Sequence, residues 1–319
     1  MKSIKQGVAL AMMLSATMIS SAHALTVYTA GPGSLAKSLA SGYEKKTGVK
    51  VNIFQATTGK VMARLEAEQA NPQADVLISA SWDTAEDLHH RGWLLPYQSG
   101  NADKVPAALK TADYVAQGIS ALGIVWNSKS GTPEPKEWRD LTEAAFKDKV
   151  TTPDPALSGA SLDLLIGLQN GLGDKAWTLF EALKKNGMVV SGPNAQAVTP
   201  VMQGAKAAVF GAVDYVSYGN IAQGESLKVI FPASGTVIAP RPMMILKTTQ
   251  HADDAKAFVD YVLSPEGQAM VADAWLMPAR SDVPAKRPLL GELKILPTTS
   301  DGSSERSAVL SRFNGLFGQ

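Results

Sequence analysis

Leu25-Thr-Val-Tyr-Thr29, then Ala30-Gly-Pro-Gly-Ser34, then helical spacing from Leu35 to Lys46: the reading of this stretch decides the fold class. Leu25 to Thr29 alternates as a strand does, and the Gly-Pro-Gly break stops it. Gly48 stands where a helix C-cap belongs, and Val49-Lys-Val-Asn-Ile-Phe54 reads as the next strand. The unit then repeats. Thr57-Thr58-Gly59 interrupts the chain before a helix predicted from Lys60 to Ala70, Pro72 ends that helix, and Asp75-Val-Leu-Ile-Ser79 is a short apolar strand. Strands alternating with helices imply an α/β fold whose mainly parallel sheet is covered on both faces. Open sheets of this kind bind ligands at the carboxyl ends of their strands, where this chain carries small and hydroxylated residues.

Upstream, Lys2 and Lys5 precede a mostly apolar stretch from Val8 to Ile19, and Ser20-Ser21-Ala22-His23-Ala24 ends on an Ala-x-Ala pattern. Charge, short apolar segment and small residues in that order predict a secretory signal cleaved after Ala24. The apolar stretch is short for a bilayer core of about 30 Å, and a protein without cysteine has none to carry a lipid there. The whole chain of 319 residues has 30 basic and 29 acidic side chains; loss of Lys2 and Lys5 leaves 28 against 29. Such a balance, with no basic block, gives no footprint for nucleic acid. Zero cysteines also exclude thiolate metal sites and cysteine nucleophiles.

Downstream, Gln117 to Asn127 runs extended and apolar, and Thr132-Pro-Glu-Pro-Lys136 makes a stiff break. A second alternating region covers Val150 to Phe231, and a second extended stretch, Gly235 to Lys247, precedes helical sequence from Asp253. Read as paired crossings, the two extended stretches divide the chain into two lobes. Residues 25–118 begin the first lobe, 119–239 form the second, 240–285 return to the first, and 286–319 are a C-terminal segment. Within that segment Thr298 to Glu305 reads as loose, with a short apolar ending at Leu316-Phe317.

Catalytic machinery is not legible. His89 and His90 are adjacent on a charged helical stretch and so point in different directions, and His251 sits in polar sequence. Neither His-Glu-x-x-His nor Gly-x-Ser-x-Gly occurs. Anion capture is better supported, because a helix N-terminus offers unpaired N–H groups and a partial positive charge. Loops at Gly33-Ser34, Thr57-Thr58-Gly59 and Ser158-Gly159-Ala160-Ser161 lead into predicted helices from both lobes. Plain N-capping is the ordinary role of such residues; their recurrence favours a shared site. Ser81 and Trp82 close the third strand, with Trp82 either stacking on a ligand or packing at the rim. Arg241, between Pro240 and Pro242, is a rigid candidate for an oxyanion clamp, and Asp214 is either a ligand acceptor or a capping carboxylate. Arg280 reads as structural, paired with Asp282.

The chain resembles the type II periplasmic binding proteins of ABC importers, in the cluster of ferric-ion, organophosphate, hexose-phosphate and 2-aminoethylphosphonate binders. The resemblance rests on Leu25 to Ala30, Tyr43 to Gly48, Thr58-Gly-Lys-Val-Met-Ala-Arg-Leu65 with Glu66-Ala-Glu68, and Ala74-Asp-Val-Leu77. Gly123 to Ser128, Trp138-Arg-Asp-Leu141, Pro153 to Ala160 and Leu263-Ser-Pro-Glu-Gly-Gln268 continue it in order. It implies two doubly wound sheets joined by hinge crossings, a monomer in the periplasm, a small anionic ligand, and delivery to a permease and ATPase. It implies no cofactor and no enzyme activity. In the iron-binding relatives a Ser-Gly-Ala loop holds phosphate or carbonate; Ser158, Gly159 and Ala160 match it, with Asn194 as companion. Ferric-ion binders carry two consecutive tyrosines; here Tyr215 matches the first and Val216 replaces the second. A phosphorylated or phosphonate-bearing solute is therefore the expected ligand. The alternatives are Fe(III) with a synergistic anion on Tyr215 and Tyr218, or a secreted phosphoester hydrolase.

Overall fold

The computed structural model describes residues 24–297 and 303–318. The expected leader, apart from Ala24, lies outside them.

Strand β1 (Ala24–Thr29) buries Leu25, Val27 and Tyr28 and runs parallel to β2 (Lys50–Gln55) on one side and β3 (Val76–Ile78) on the other. Between them, α1 (Gly33–Thr47) buries Leu35, Leu39 and Tyr43 at helical spacing and carries Lys45 and Lys46 in its last turn. Gly48 ends it at φ 78°, donating its N–H to the Glu44 carbonyl at 2.8 Å. Helices α2 (Thr58–Ala67) and α3 (Trp82–His90) follow β2 and β3, and the short β4 (Leu94–Leu95) comes next. The predicted helix start at Lys60 is late by about half a turn: the helix begins at Thr58, with Thr57 as its N-cap.

The long β5 (Tyr114–Asn127) is buried throughout and belongs to both halves of the molecule. Beyond it lie β6 (Val150–Thr152), α4 (Gly159–Leu172), α5 (Asp174–Lys185), β7 (Val189–Val190), α6 (Asn194–Met202), β8 (Ala208–Val213), α7 (Asp214–Ala222) and β9 (Leu227–Ile230). The chain returns through β10 (Ile238–Leu246), α8 (Ala252–Val262), α9 (Pro265–Asp273) and β11 (Met277–Pro278), and α10 (Ser303–Phe317) closes it. Among the described residues the strands form one sheet with the main path β2-β1-β3-β10-β5-β8-β6-β7, to which β4 adds beside β10, and β9 and β11 beside β5. Tyr114 to Ala121 of β5 pair with β10, whereas Leu122 to Asn127 pair with β8 and β9. The expected two sheets are thus joined through β5 into one, and the second crossing is the segment between β9 and β10. Gly123 sits at the changeover, where a Cβ would lie 2.8 Å from the Ile230 carbonyl oxygen; only glycine lets the two crossings approach this closely.

Each lobe has its own core. One gathers Leu39, Tyr43, Ile119, Phe258 and Val262, and the other Trp138, Phe146, Phe180, Phe210 and Phe313. Helix α10 starts at Ser303, so Ser303 to Glu305 of the stretch expected to be loose are helical, and Val309 and Phe313 beyond it seat the helix in the second core. The apolar spacing Val309, Phe313, Phe317 carries that docking. Arg280 meets Asp282 through two bonds, at 2.9 and 2.8 Å, as expected of a structural pair.

Candidate functional site

Helices α1, α2, α3, α4, α6 and α7 each begin within a few residues of the carboxyl end of the strand before them, so their N-termini gather along one rim. A cavity of about 450 Å³ opens there between the lobes, a size suited to a small solute. Its walls include Gly31 and Pro32 before α1, Thr57, Thr58 and Lys60 of α2, Ser158, Gly159 and Ala160 of α4, Pro193 and Asn194 of α6, and Tyr215 and Val216 of α7. Arg241 and Gln55 complete them. Among the described residues the lining contains two cationic side chains and no carboxylate.

Arg241 is held by its neighbours. Proline on both sides fixes the backbone, and the β10 register shifts between Arg241 and Pro242, which accommodates a residue that cannot donate to the ladder. The side chain is 1% exposed. Its Nη2 donates to the Ala30 carbonyl at 2.6 Å, its guanidinium carbon lies 5.6 Å from the Tyr215 ring centre, and its Nε has no partner. Burial pulls its pKa down, opposed by Tyr215 and Asp214; arginine nevertheless stays charged. The Thr57 hydroxyl is likewise buried without a partner. A buried cation with an unused donor is costly unless an anion completes it.

The facing wall is tied by one side chain. Asn194 Nδ2 donates to Ser158 Oγ at 2.6 Å, and Asn194 Oδ1 accepts from the Val213 N–H at 3.3 Å. Ser158 Oγ also accepts from the Ser161 N–H at 3.2 Å. Both hydroxyl lone pairs are then used, leaving the Ser158 O–H proton to donate to a ligand. The N-termini of α4, α6 and α7 are locked together around it.

Of the residues singled out in the sequence, Thr57, Thr58, Ser158, Gly159, Ala160, Asn194, Tyr215 and Arg241 come together in this cavity. Ser34 does not: it is exposed in the first turn of α1, and Gly31 and Pro32 line the wall instead. Gly59 is exposed outside the lining. Trp82 turns into the first lobe and packs edge-on against Tyr114, ring centres 4.9 Å apart, so packing rather than ligand stacking is its part. The ligand-reading role expected of Asp214 also gives way. Its side chain is fully buried against Arg287, with Oδ2 accepting the Ala121 N–H at 2.9 Å and Oδ1 the Tyr215 N–H at 2.7 Å. Tyr218 stacks on Trp275 at 6.0 Å rather than lining the cavity. Burial pushes its phenol up to about 12, with Arg287 opposing. Lys60 and Gln55 were missed, although Lys60 directly follows Thr58-Gly59 in the quoted motif.

Ser81 marks a contact between lobes. Its Oγ donates to Asp163 Oδ1 at 3.3 Å, and Arg306 of α10 bridges Asp83 of the first lobe at 2.8 Å and Asp163 of the second at 2.9 Å. Arg306→Gln removes the cation shared by two facing carboxylates. It is expected to favour the open arrangement and weaken ligand binding about tenfold, with a larger radius of gyration for the unliganded protein in solution X-ray scattering; an unchanged radius and affinity would count against this latch. Burial holds the Asp163 carboxyl up at about 6, with Arg306 pulling the other way. Because that lies above the unfolded value of about 3.9, the folded state binds this proton more readily. Stability at this position therefore rises as pH falls from 7 through 6 toward 4. Melting curves of the protein and of Asp163→Asn across that range should diverge in favour of the unmutated protein at the acid end; a flat difference contradicts this.

Against known proteins, the profile of the bacterial extracellular solute-binding protein family matches residues 71–301. The chain belongs to that family. A Haemophilus influenzae protein is 30% identical over 265 residues, 79% of this chain and 75% of its own. A putative 2-aminoethylphosphonate-binding periplasmic protein of Salmonella typhimurium is 27% identical, covering 76% of this chain and 73% of its own. Among solved structures, the periplasmic binding protein AfuA of Actinobacillus pleuropneumoniae, with fructose-6-phosphate bound, superimposes with a TM-score of 0.83 at 24% identity, over 92% of this chain and 98% of that one. That likeness establishes the two-lobed fold.

Proposed function

We propose that this protein is the periplasmic substrate-binding component of an ABC importer, capturing a small phosphorylated or phosphonate-bearing solute and delivering it to the permease and ATPase. The observation that carries the reading is Arg241: a buried guanidinium with an unpartnered Nε in a cavity whose described lining has no carboxylate. The N-terminal turns of α2, α4, α6 and α7 add N–H donors and partial positive charge to the same space. The relatives' names, which include a phosphonate binder and a sugar-phosphate complex, agree with that chemistry. Closing of the lobes follows binding, with β5 and the segment between β9 and β10 as hinges. Export by a cleaved leader, a monomeric state and the lack of turnover are parts of the same reading.

Thermal unfolding against a panel tests it, because a ligand bound only by the folded state raises the melting temperature. The panel is phosphate, glucose 6-phosphate, 2-aminoethylphosphonate and ferric citrate, with absorption scanned for phenolate-to-iron colour. A large shift with a phosphorylated organic compound and no colour with iron is expected. A shift and colour with iron alone would replace this reading with the Fe(III) alternative, and steady cleavage of phosphoesters would replace it with the hydrolase.

A further inference from the structure

The anion reading leaves open what the rest of the ligand carries, and the carboxylates around the cavity bear on that. Among the described residues, Lys60 and Arg241 are the charged residues of the lining. Asp214 directly precedes the lining residue Tyr215, yet it is 0% exposed and its oxygens are taken by Arg287 and by the N–H groups of Ala121 and Tyr215. Asp163, three residues beyond Ala160, and Asp83, next to Trp82, are both held by Arg306. Asp154, before Leu157, accepts the Ala156 N–H at 2.8 Å and is not part of the lining.

An ammonium group on a ligand closed into this cavity therefore finds no anionic acceptor among the described residues and faces the buried Arg241 and the exposed Lys60. Losing its water without a counter-charge is unfavourable, and like charges at short range add to that. A hydroxyl or methyl group in the same place has neither handicap, since Gln55 and backbone groups suffice for hydroxyls. We propose that the cleft selects an anionic phosphate or phosphonate head on an uncharged body and discriminates against the matching zwitterion, with Arg287 acting as a specificity-determining residue by withdrawing Asp214 from the ligand. This rests on the anion reading and narrows it.

Calorimetric titration with matched pairs tests the idea: n-propylphosphonate against 2-aminoethylphosphonate, and glucose 6-phosphate against glucosamine 6-phosphate. Within whichever pair binds, the ammonium member is expected to bind at least tenfold more weakly. Val216→Asp, which sets a carboxylate in the lining, is expected to shrink or reverse that ratio. Equal or tighter binding of the ammonium member by the unmutated protein overturns the proposal while leaving anion capture intact. A ratio unmoved by Val216→Asp overturns its attribution to the missing carboxylate. No binding by any of the four compounds overturns the anion reading and this proposal with it.

Discussion

Arg241→Met should lose binding of the phosphorylated ligand by about 10²–10³-fold while leaving the unliganded protein as stable as before or more so. The two effects have one cause. The guanidinium is buried with its Nε unpaired, donates to the Ala30 carbonyl and has only partial support from Tyr215 and Asp214, so an apolar side chain of similar length removes a poorly compensated charge. With the ligand present, the same substitution removes the partner of a buried anion, a loss of roughly 2–5 kcal/mol for charge pairs of this kind. Calorimetry gives the first effect and thermal melting without ligand gives the second. Affinity within threefold of the unmutated protein would remove Arg241 from the site, and a large fall in melting temperature would make it a structural residue instead.

The second large effect falls on folding. Arg287→Met leaves the Asp214 carboxylate fully buried without its cation, and such half-broken pairs cost about 3–5 kcal/mol. Burial already pushes the Asp214 carboxyl upward, with Arg287 and the Ala121 and Tyr215 N–H groups holding against it. The pair joins three parts of the molecule: the crossing strand at Ala121, the start of α7 at Tyr215, and the C-terminal segment through Arg287. A fall of about 10 °C in melting temperature is expected. Arg287→Met combined with Asp214→Asn should recover part of it, because the stranded charge is then gone. If the double variant is no more stable than the single, the loss comes from packing and not from charge.

Arg241, set between two prolines, was legible in the sequence, whereas Arg287 was not. The opening strand, break and helix were readable because Leu25, Val27 and the spacing from Leu35 to Tyr43 obey local periods. The wall of the cavity was readable in part because Thr57, Thr58 and Ser158 stand where strand ends feed helix starts. Asp214 was misplaced because its partner, Arg287, lies 73 residues away, and no local pattern brings them together. Trp82 follows a strand end as the lining residues do, but the side-chain direction that sends it to Tyr114 depends on the packing of α3. Arg306 lay just beyond a polar stretch read as loose, because the apolar stripe of α10 is short and its support comes from α4 and α5. Lys60 needed no distant information; its neighbours drew attention to the backbone and away from the side chain.

The most direct measurement is the crystal structure of the protein grown with the tightest-binding phosphorylated compound from the panel. The phosphorus head group is expected between the lobes, its oxygens within hydrogen-bond distance of Arg241 Nε, the Thr57 and Ser158 hydroxyls and the first N–H groups of α2 and α4. A head group seated away from Arg241, or a ferric ion held by Tyr215 in its place, would contradict it.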